Sequence, residues 1–215
     1  MTTSRITRRA FAIASLASLA LTRRASADAP TASLDDAIAR VAKARASLRT
    51  LTGPFTQERT IGLLATSVRS TGTVTLVRPD RLRWELSPPD DVVYWITPEG
   101  LAYRSKTGQG HVGATQSKLT ASLDDLRTLL GGDLAKLRAR YDMRLVSDTN
   151  GELAFDALPR DPAMPLKLLR FGLGQDGAVP RFAELVEGPR DKTRIDFGAL
   201  QRDVAIDPSL MRPPT

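Results

Sequence analysis

No cysteine occurs in the 215-residue chain, and histidine occurs once, as His111. Without thiols, export to an oxidising compartment brings no disulfide, and lipid attachment to a cysteine is excluded. One histidine and no cysteine leave too few ligands for a zinc site, and no run of Asp and Asn has calcium-loop spacing. Histidine catalysis needs a second group to hold the imidazole. His111 stands in the glycine-rich stretch 105–121, which shows no periodicity and reads as an exposed loop. With no nucleophile–base pair, the chain reads as a non-enzyme without cofactor or metal. Long apolar runs are also missing: Ala10 to Leu21 spans 12 residues, below the roughly 20 that a membrane-spanning helix needs.

Charge of one sign is scarcer than the formal +7 suggests. Residues 1–27 hold Arg5, Arg8, Arg9, Arg23 and Arg24 and no acid, so the remainder has 26 basic against 24 acidic residues. That balance does not imply a nucleic-acid partner. The same 27 residues read as an export signal: a basic start, an apolar stretch, and Ala25-Ser26-Ala27 in the small-x-small pattern of a cleavage site after Ala27. Thr7-Arg8-Arg9-Ala10-Phe11 resembles the twin-arginine export signature; the alternative is an ordinary secretory signal with a chance arginine pair. Both routes lead out of the cytoplasm. The organisation is therefore a signal at 1–27 and one domain at 28–215.

Ser33 with Asp36 three residues on matches a capped helix start, and Leu34, Ile38, Val41, Arg45 and Leu48 form a stripe at helical spacing that Gly53-Pro54 would end. From Gly72 the period changes to two, with Val74 and Leu76, then Leu82, Trp84 and Leu86, on one face, and Pro79-Asp80 between them as the turn of an antiparallel hairpin. Val92 to Ile96 is apolar on both faces, as in a strand covered on both sides. Ser122-Leu123-Asp124-Asp125 repeats the capped opening before a short helix that Gly131-Gly132 stops, and 133–140 is helical with weaker marks. The last third alternates again near 141–147, 152–158, 166–173, 181–187 and 193–197, with turns such as Asn150-Gly151 between. The sum is α+β: a meandering antiparallel sheet of nine to eleven strands with an N-terminal helix and a helical insertion.

The paired acids Asp35-Asp36 and Asp124-Asp125 read as helix-start residues favoured by the helix dipole, and Asp90-Asp91 as turn residues, rather than as a glycosidase pair.

Gly72-Thr73-Val74-Thr75-Leu76-Val77-Arg78-Pro79-Asp80-Arg81-Leu82-Arg83-Trp84-Glu85-Leu86, followed by Pro89, resembles the glycine, strand, Arg-Pro, turn, tryptophan-strand signature of the outer-membrane lipoprotein carrier (LolA-type) family. Phe55-Thr56-Gln57, Thr97-Pro98-Glu99-Gly100, Leu129-Leu130-Gly131-Gly132 and Met211-Arg212-Pro213-Pro214 stand in the order of further family motifs, so the likeness covers about 33–214. It implies an incomplete (half) antiparallel β-barrel, strongly curved and covered by an N-terminal helix and a short helical lid. Its cavity would hold the acyl chains of lipoproteins crossing the periplasm.

By the same resemblance, cargo comes from an inner-membrane ABC-type lipoprotein-releasing complex and passes to an outer-membrane lipoprotein receptor, with the carrier a monomer. The cavity is expected at Phe55, Val74, Leu76, Leu82, Trp84, Leu86, Val93, Trp95 and Phe171, and Arg78 inherits the lid contact. For the apolar positions, plain core packing is an equally open reading. Departures from the family pattern are the twin-arginine signal, Leu82 where an aromatic is common, and Glu99 in place of an aspartate. They leave open a paralogue carrying another lipid. A lipid-sensing or envelope-stress regulatory module on the same half-barrel is the other alternative, though such regulators add a second domain for which no length is visible.

Overall fold

The computed structural model describes residues 33–64, 66–113 and 118–214; the expected signal at 1–27 and its cleavage site lie outside the described residues. Ser33 caps helix α1 (Leu34–Ala44) by a reciprocal box: its hydroxyl accepts from the Asp36 amide at 3.1 Å while the Asp36 carboxylate accepts from Ser33. The helix stops eight residues short of Gly53, and Gly53-Pro54 lies inside a strand instead. Two features account for this: β-branched Thr50 and Thr52 favour extended backbone, and the Arg45 carbonyl at the helix end is taken by the Arg78 guanidinium.

Twelve strands follow in one antiparallel sheet: β1 (Thr50–Ile61), β2 (Thr66–Val77), β3 (Arg81–Leu86), β4 (Val92–Thr97), β5 (Gly100–Ser105), β6 (Gly108–Gly113), β7 (Tyr141–Thr149), β8 (Glu152–Pro159), β9 (Leu168–Leu173), β10 (Pro180–Val186), β11 (Lys192–Phe197) and the short β12 (Gln201–Arg202). Their order is β6-β5-β4-β3-β2-β1-β11-β10-β9-β8-β7, with β12 beside β1. Two meanders thus meet where β1 pairs β2 on one side and β11 on the other, and the sheet does not close. The fold is the expected α+β half-barrel. Part of the stretch expected as a loop at 105–121 is a hairpin arm, β6, whose glycine spacing hid any apolar alternation. His111 accordingly lies on a strand, exposed, its Nε2 3.0 Å from the Pro214 carbonyl oxygen.

Helices α2 (Lys118–Gly131) and α3 (Leu134–Arg140) sit between β6 and β7 in sequence. α2 lies against β2 and β4; α3 packs on α1 and α2. α2 begins four residues before Ser122, so Ser122 and the Asp124-Asp125 pair are inside the helix rather than at its cap. Directly opposed residues of an antiparallel pair point to the same face. The registers Leu51–Leu76, Leu76–Leu82, Leu82–Ile96 and Ile96–Leu101 therefore place one continuous apolar row on the concave face. On the other half of the sheet Phe155, Phe171 and Ala183 continue it. Phe155 and Phe171 stack with centroids 5.0 Å apart, both fully buried. This row, with Val41 of α1, Leu126, Leu129 and Leu130 of α2, and Leu134 and Leu137 of α3, is a single core cluster.

Candidate ligand-binding site

The concave face changes character along β1. Leu51 and Phe55 are buried in the core, whereas Gln57, Arg59 and Ile61, next on the same face by period two, line an open cavity of about 580 Å³. Its other walls are Trp84 of β3, Leu123 and Leu126 of α2, and Leu185, Thr193 and Ile195 of β10 and β11. Gln57 opposes Ile195 and Arg59 opposes Thr193, so these side chains project together. Trp84 is held from behind by core aromatics: its ring centroid lies 3.8 Å from that of Phe55, and it meets Phe197 edge-on at 6.3 Å. Glu187 and Asp191, in the β10–β11 turn, are polar at the rim. A deep apolar end under a helix, opening onto charged groups, suits a ligand with a hydrocarbon part and a polar head.

Of the residues expected to line the cavity, Trp84 does. Phe55, Val74, Leu76, Leu82 and Phe171 are 0–2% exposed and fill the core, and Leu86 is half-buried against it. Val93 and Trp95 are on the opposite, convex face, because their register partners are Glu85 and Arg83. There they cluster with Ala102, and Trp95 Nε1 donates to the Leu210 carbonyl at 2.8 Å, clamping the C-terminal segment to the sheet. Both faces of β4 are apolar, so parity within that strand alone could not assign them; only the register to β3 does. The expected contact of Arg78 with the lid is also different. Its guanidinium donates to the carbonyls of Arg45, the residue that caps the end of α1, and Leu48, in the segment between α1 and β1. The residues missed by sequence reasoning, Gln57, Arg59 and Ile61, continued the parity of Phe55 and were legible had β1 been recognised as a strand.

The sequence matches the family model of the outer membrane lipoprotein carrier protein LolA over residues 46–213. The chain belongs to the LolA family. No curated protein matches it. Among solved structures it is similar to a LolA superfamily protein from Nitrosomonas europaea, at 8% identity and a TM-score of 0.44, covering 84% of this chain and 98% of that one. A conserved protein from Thermus thermophilus gives 11% identity and a TM-score of 0.50, covering 84% and 93%. A chain of the Pseudomonas aeruginosa MucA/MucB complex gives 18% and 0.46, covering 83% of this chain and 60% of that one. Among the described residues no helix is long and apolar enough to cross a membrane.

In this LolA-family half-barrel the lid helix α2 is fastened by two buried polar clusters. At its C-terminal end Arg45, 1% exposed, donates from Nε to Ala178 O at 2.8 Å and from Nη1 to Leu129 O at 2.6 Å. Burial, with the Arg78 charge nearby, lowers its pKa to about 10. Gly132 has φ of +80°, and a Cβ there would lie 2.3 Å from Arg45 Cδ, so glycine makes room for the guanidinium. In mid-helix, buried Asp125 accepts from the Tyr141 hydroxyl and lies 2.6 Å from Arg140 Nη1. Burial pushes the Asp125 carboxyl up to about 6 against the pull of Tyr141 and Arg140, and pushes the Tyr141 phenol up as well. A charge on the apolar stripe of α1 was the available signal for Arg45. For Asp125 the helix-start reading concealed a partner on β7. The lid also reaches the β2–β3 turn, where Arg127 Nη1 is 3.4 Å from the Asp80 carbonyl oxygen.

Proposed function

We propose that the protein is a periplasmic carrier that binds the acyl chains of lipoproteins in the cavity beneath α2 and shuttles them from the inner to the outer membrane. The observation that carries this reading is the 580 Å³ cavity itself, continuous with the core's apolar row and left unfilled by the protein's own side chains. Its volume is within the roughly 300–1,000 Å³ of small-ligand sites, and each methylene removed from water there gains about 0.8 kcal/mol. Beyond this cavity the apolar row of the half-barrel is buried in one core cluster. A longer chain therefore enters by displacing α2 from the sheet, and the polar clusters at Arg45 and Asp125 set how readily that happens. Loading from an inner-membrane ABC-type complex and delivery to an outer-membrane receptor belong to the same reading, and the family match supports them. Binding and release need no covalent step, and the protein acts as a monomer that is not an enzyme.

The test uses detergent-free protein carrying Trp95→Phe, so that Trp84 is the sole tryptophan, titrated with a mono-acylated lipopeptide. The expected result is a saturable Trp84 fluorescence change that Leu123→Glu weakens about ten-fold or more, since a carboxylate at a half-buried cavity wall must be desolvated. No saturable change with any acylated ligand, in protein shown folded by circular dichroism, refutes the proposal.

A further inference from the structure

A second cavity, of about 570 Å³, opens on the convex side of the sheet, beneath the segment that follows β12. Register places it there: Thr50 opposes Val77 and Val77 opposes Arg81, a row alternating with the inward Leu51, Leu76 and Leu82. Its apolar wall includes Val77, Ile206 and Met211, and its rim carries Arg49, Arg81 and Arg212. All three arginines are exposed, and among the described residues none is in an ion pair with a carboxylate. The one acid in the lining, Asp203, is committed to the backbone, its Oδ1 accepting from the Arg49 amide at 2.7 Å. Nearby Asp207 likewise accepts from the Ser209 amide at 2.8 Å. Counted over the lining, three arginines stand against the one carboxylate of Asp203, so the rim carries net positive charge next to a hydrocarbon wall, reduced by Asp207 within electrostatic range of Arg212 and Glu99 of Arg81.

We propose that this pocket is a second binding site, for an anionic amphiphile whose phosphate head sits among Arg49, Arg81 and Arg212 and whose adjoining carbons lie on Val77, Ile206 and Met211. Three separate guanidinium forks offer donors from several directions, which matches the multiple free oxygens of a phosphate; one fork satisfies a carboxylate. A free inorganic anion would leave the apolar wall unused. The site is independent of the cavity under α2, which lies on the other face of the sheet.

Dihexanoyl phosphatidic acid, dihexanoyl phosphatidylcholine and inorganic phosphate are each titrated into the protein, followed by methyl NMR of Val77, Ile206 and Met211. Phosphatidic acid should shift these methyls saturably and bind about ten-fold tighter than inorganic phosphate, while the zwitterionic lipid of equal chain length leaves them unmoved. Arg81→Gln and Arg212→Gln, at exposed positions, should each weaken binding about ten-fold without changing the Trp84 titration of the other cavity. Equal affinity for inorganic phosphate, shifts confined to the α2 cavity, insensitivity to both substitutions, or displacement of the lipid by an acidic peptide of higher affinity would each overturn the assignment.

Discussion

Replacing Arg45 with methionine keeps a long unbranched side chain but removes the group that closes the C-terminal end of the lid. The two short bonds, to Ala178 O and Leu129 O, come from a charged donor and contribute about 1.5–3 kcal/mol each, so their loss removes about 3–6 kcal/mol. Against this stands the burial of the charge. The fall in pKa from 12.5 to about 10 corresponds to about 3 kcal/mol on the protonated form. A base with a lowered folded-state pKa holds its proton less firmly than in the unfolded chain. Its penalty is therefore fully present below pH of about 10 and eases only as pH rises from there towards the unfolded value. At neutral pH the variant loses the bonds and sheds the penalty, leaving a net destabilisation of about 0–3 kcal/mol. Leu129 O keeps one donor, the Gly132 amide at 3.1 Å, which also limits the global effect. The local effect is larger: hydrogen exchange should accelerate in peptides spanning 126–132 and 174–179, and lipopeptide uptake should become faster. A global loss above about 5 kcal/mol in urea unfolding, or unchanged protection in both segments, would mean that Arg45 does not fasten the end of α2.

Asp125→Asn tests the second fastening. A carboxyl raised from 3.8 to about 6 by burial binds its proton more tightly when folded, so its penalty develops as pH rises from about 4 to 6 and persists above. The variant, which keeps an acceptor for Tyr141, should gain on the parent by up to about 3 kcal/mol across that window in urea unfolding. A difference that stays flat with pH contradicts the assignment. Gly72→Ala should lose about 3 kcal/mol or more, because its Cβ would stand 2.0 Å from the Glu85 carbonyl oxygen and 2.6 Å from Phe55 Cζ; a thermal midpoint like the parent's would show that β2 and β3 can part there.

The cavity was half legible beforehand. Period-two alternation placed Val74, Leu76, Leu82 and Trp84 on one face, and they share it. The pattern could not tell that Val74, Leu76 and Leu82 are core while Trp84 borders open space, since that depends on where α2 comes to rest above the sheet. The acids at 124–125 show the opposite failure: a valid local rule for helix starts was applied in mid-helix, and the buried partner Tyr141 came from another element.

Local chemistry alone determined the absence of disulfides, the capped start of α1, the hairpin turns, the alternating strands and the α+β class, because each depends on neighbours within a few residues. Only the tertiary structure decided which face of β4 turns inward, which arginine holds the lid, and how much of the concave side stays open. Those are settled by register and by the meeting of residues far apart in the chain, as when Arg45 reaches Leu129 and Ala178. Short-range spacing carries no record of such contacts.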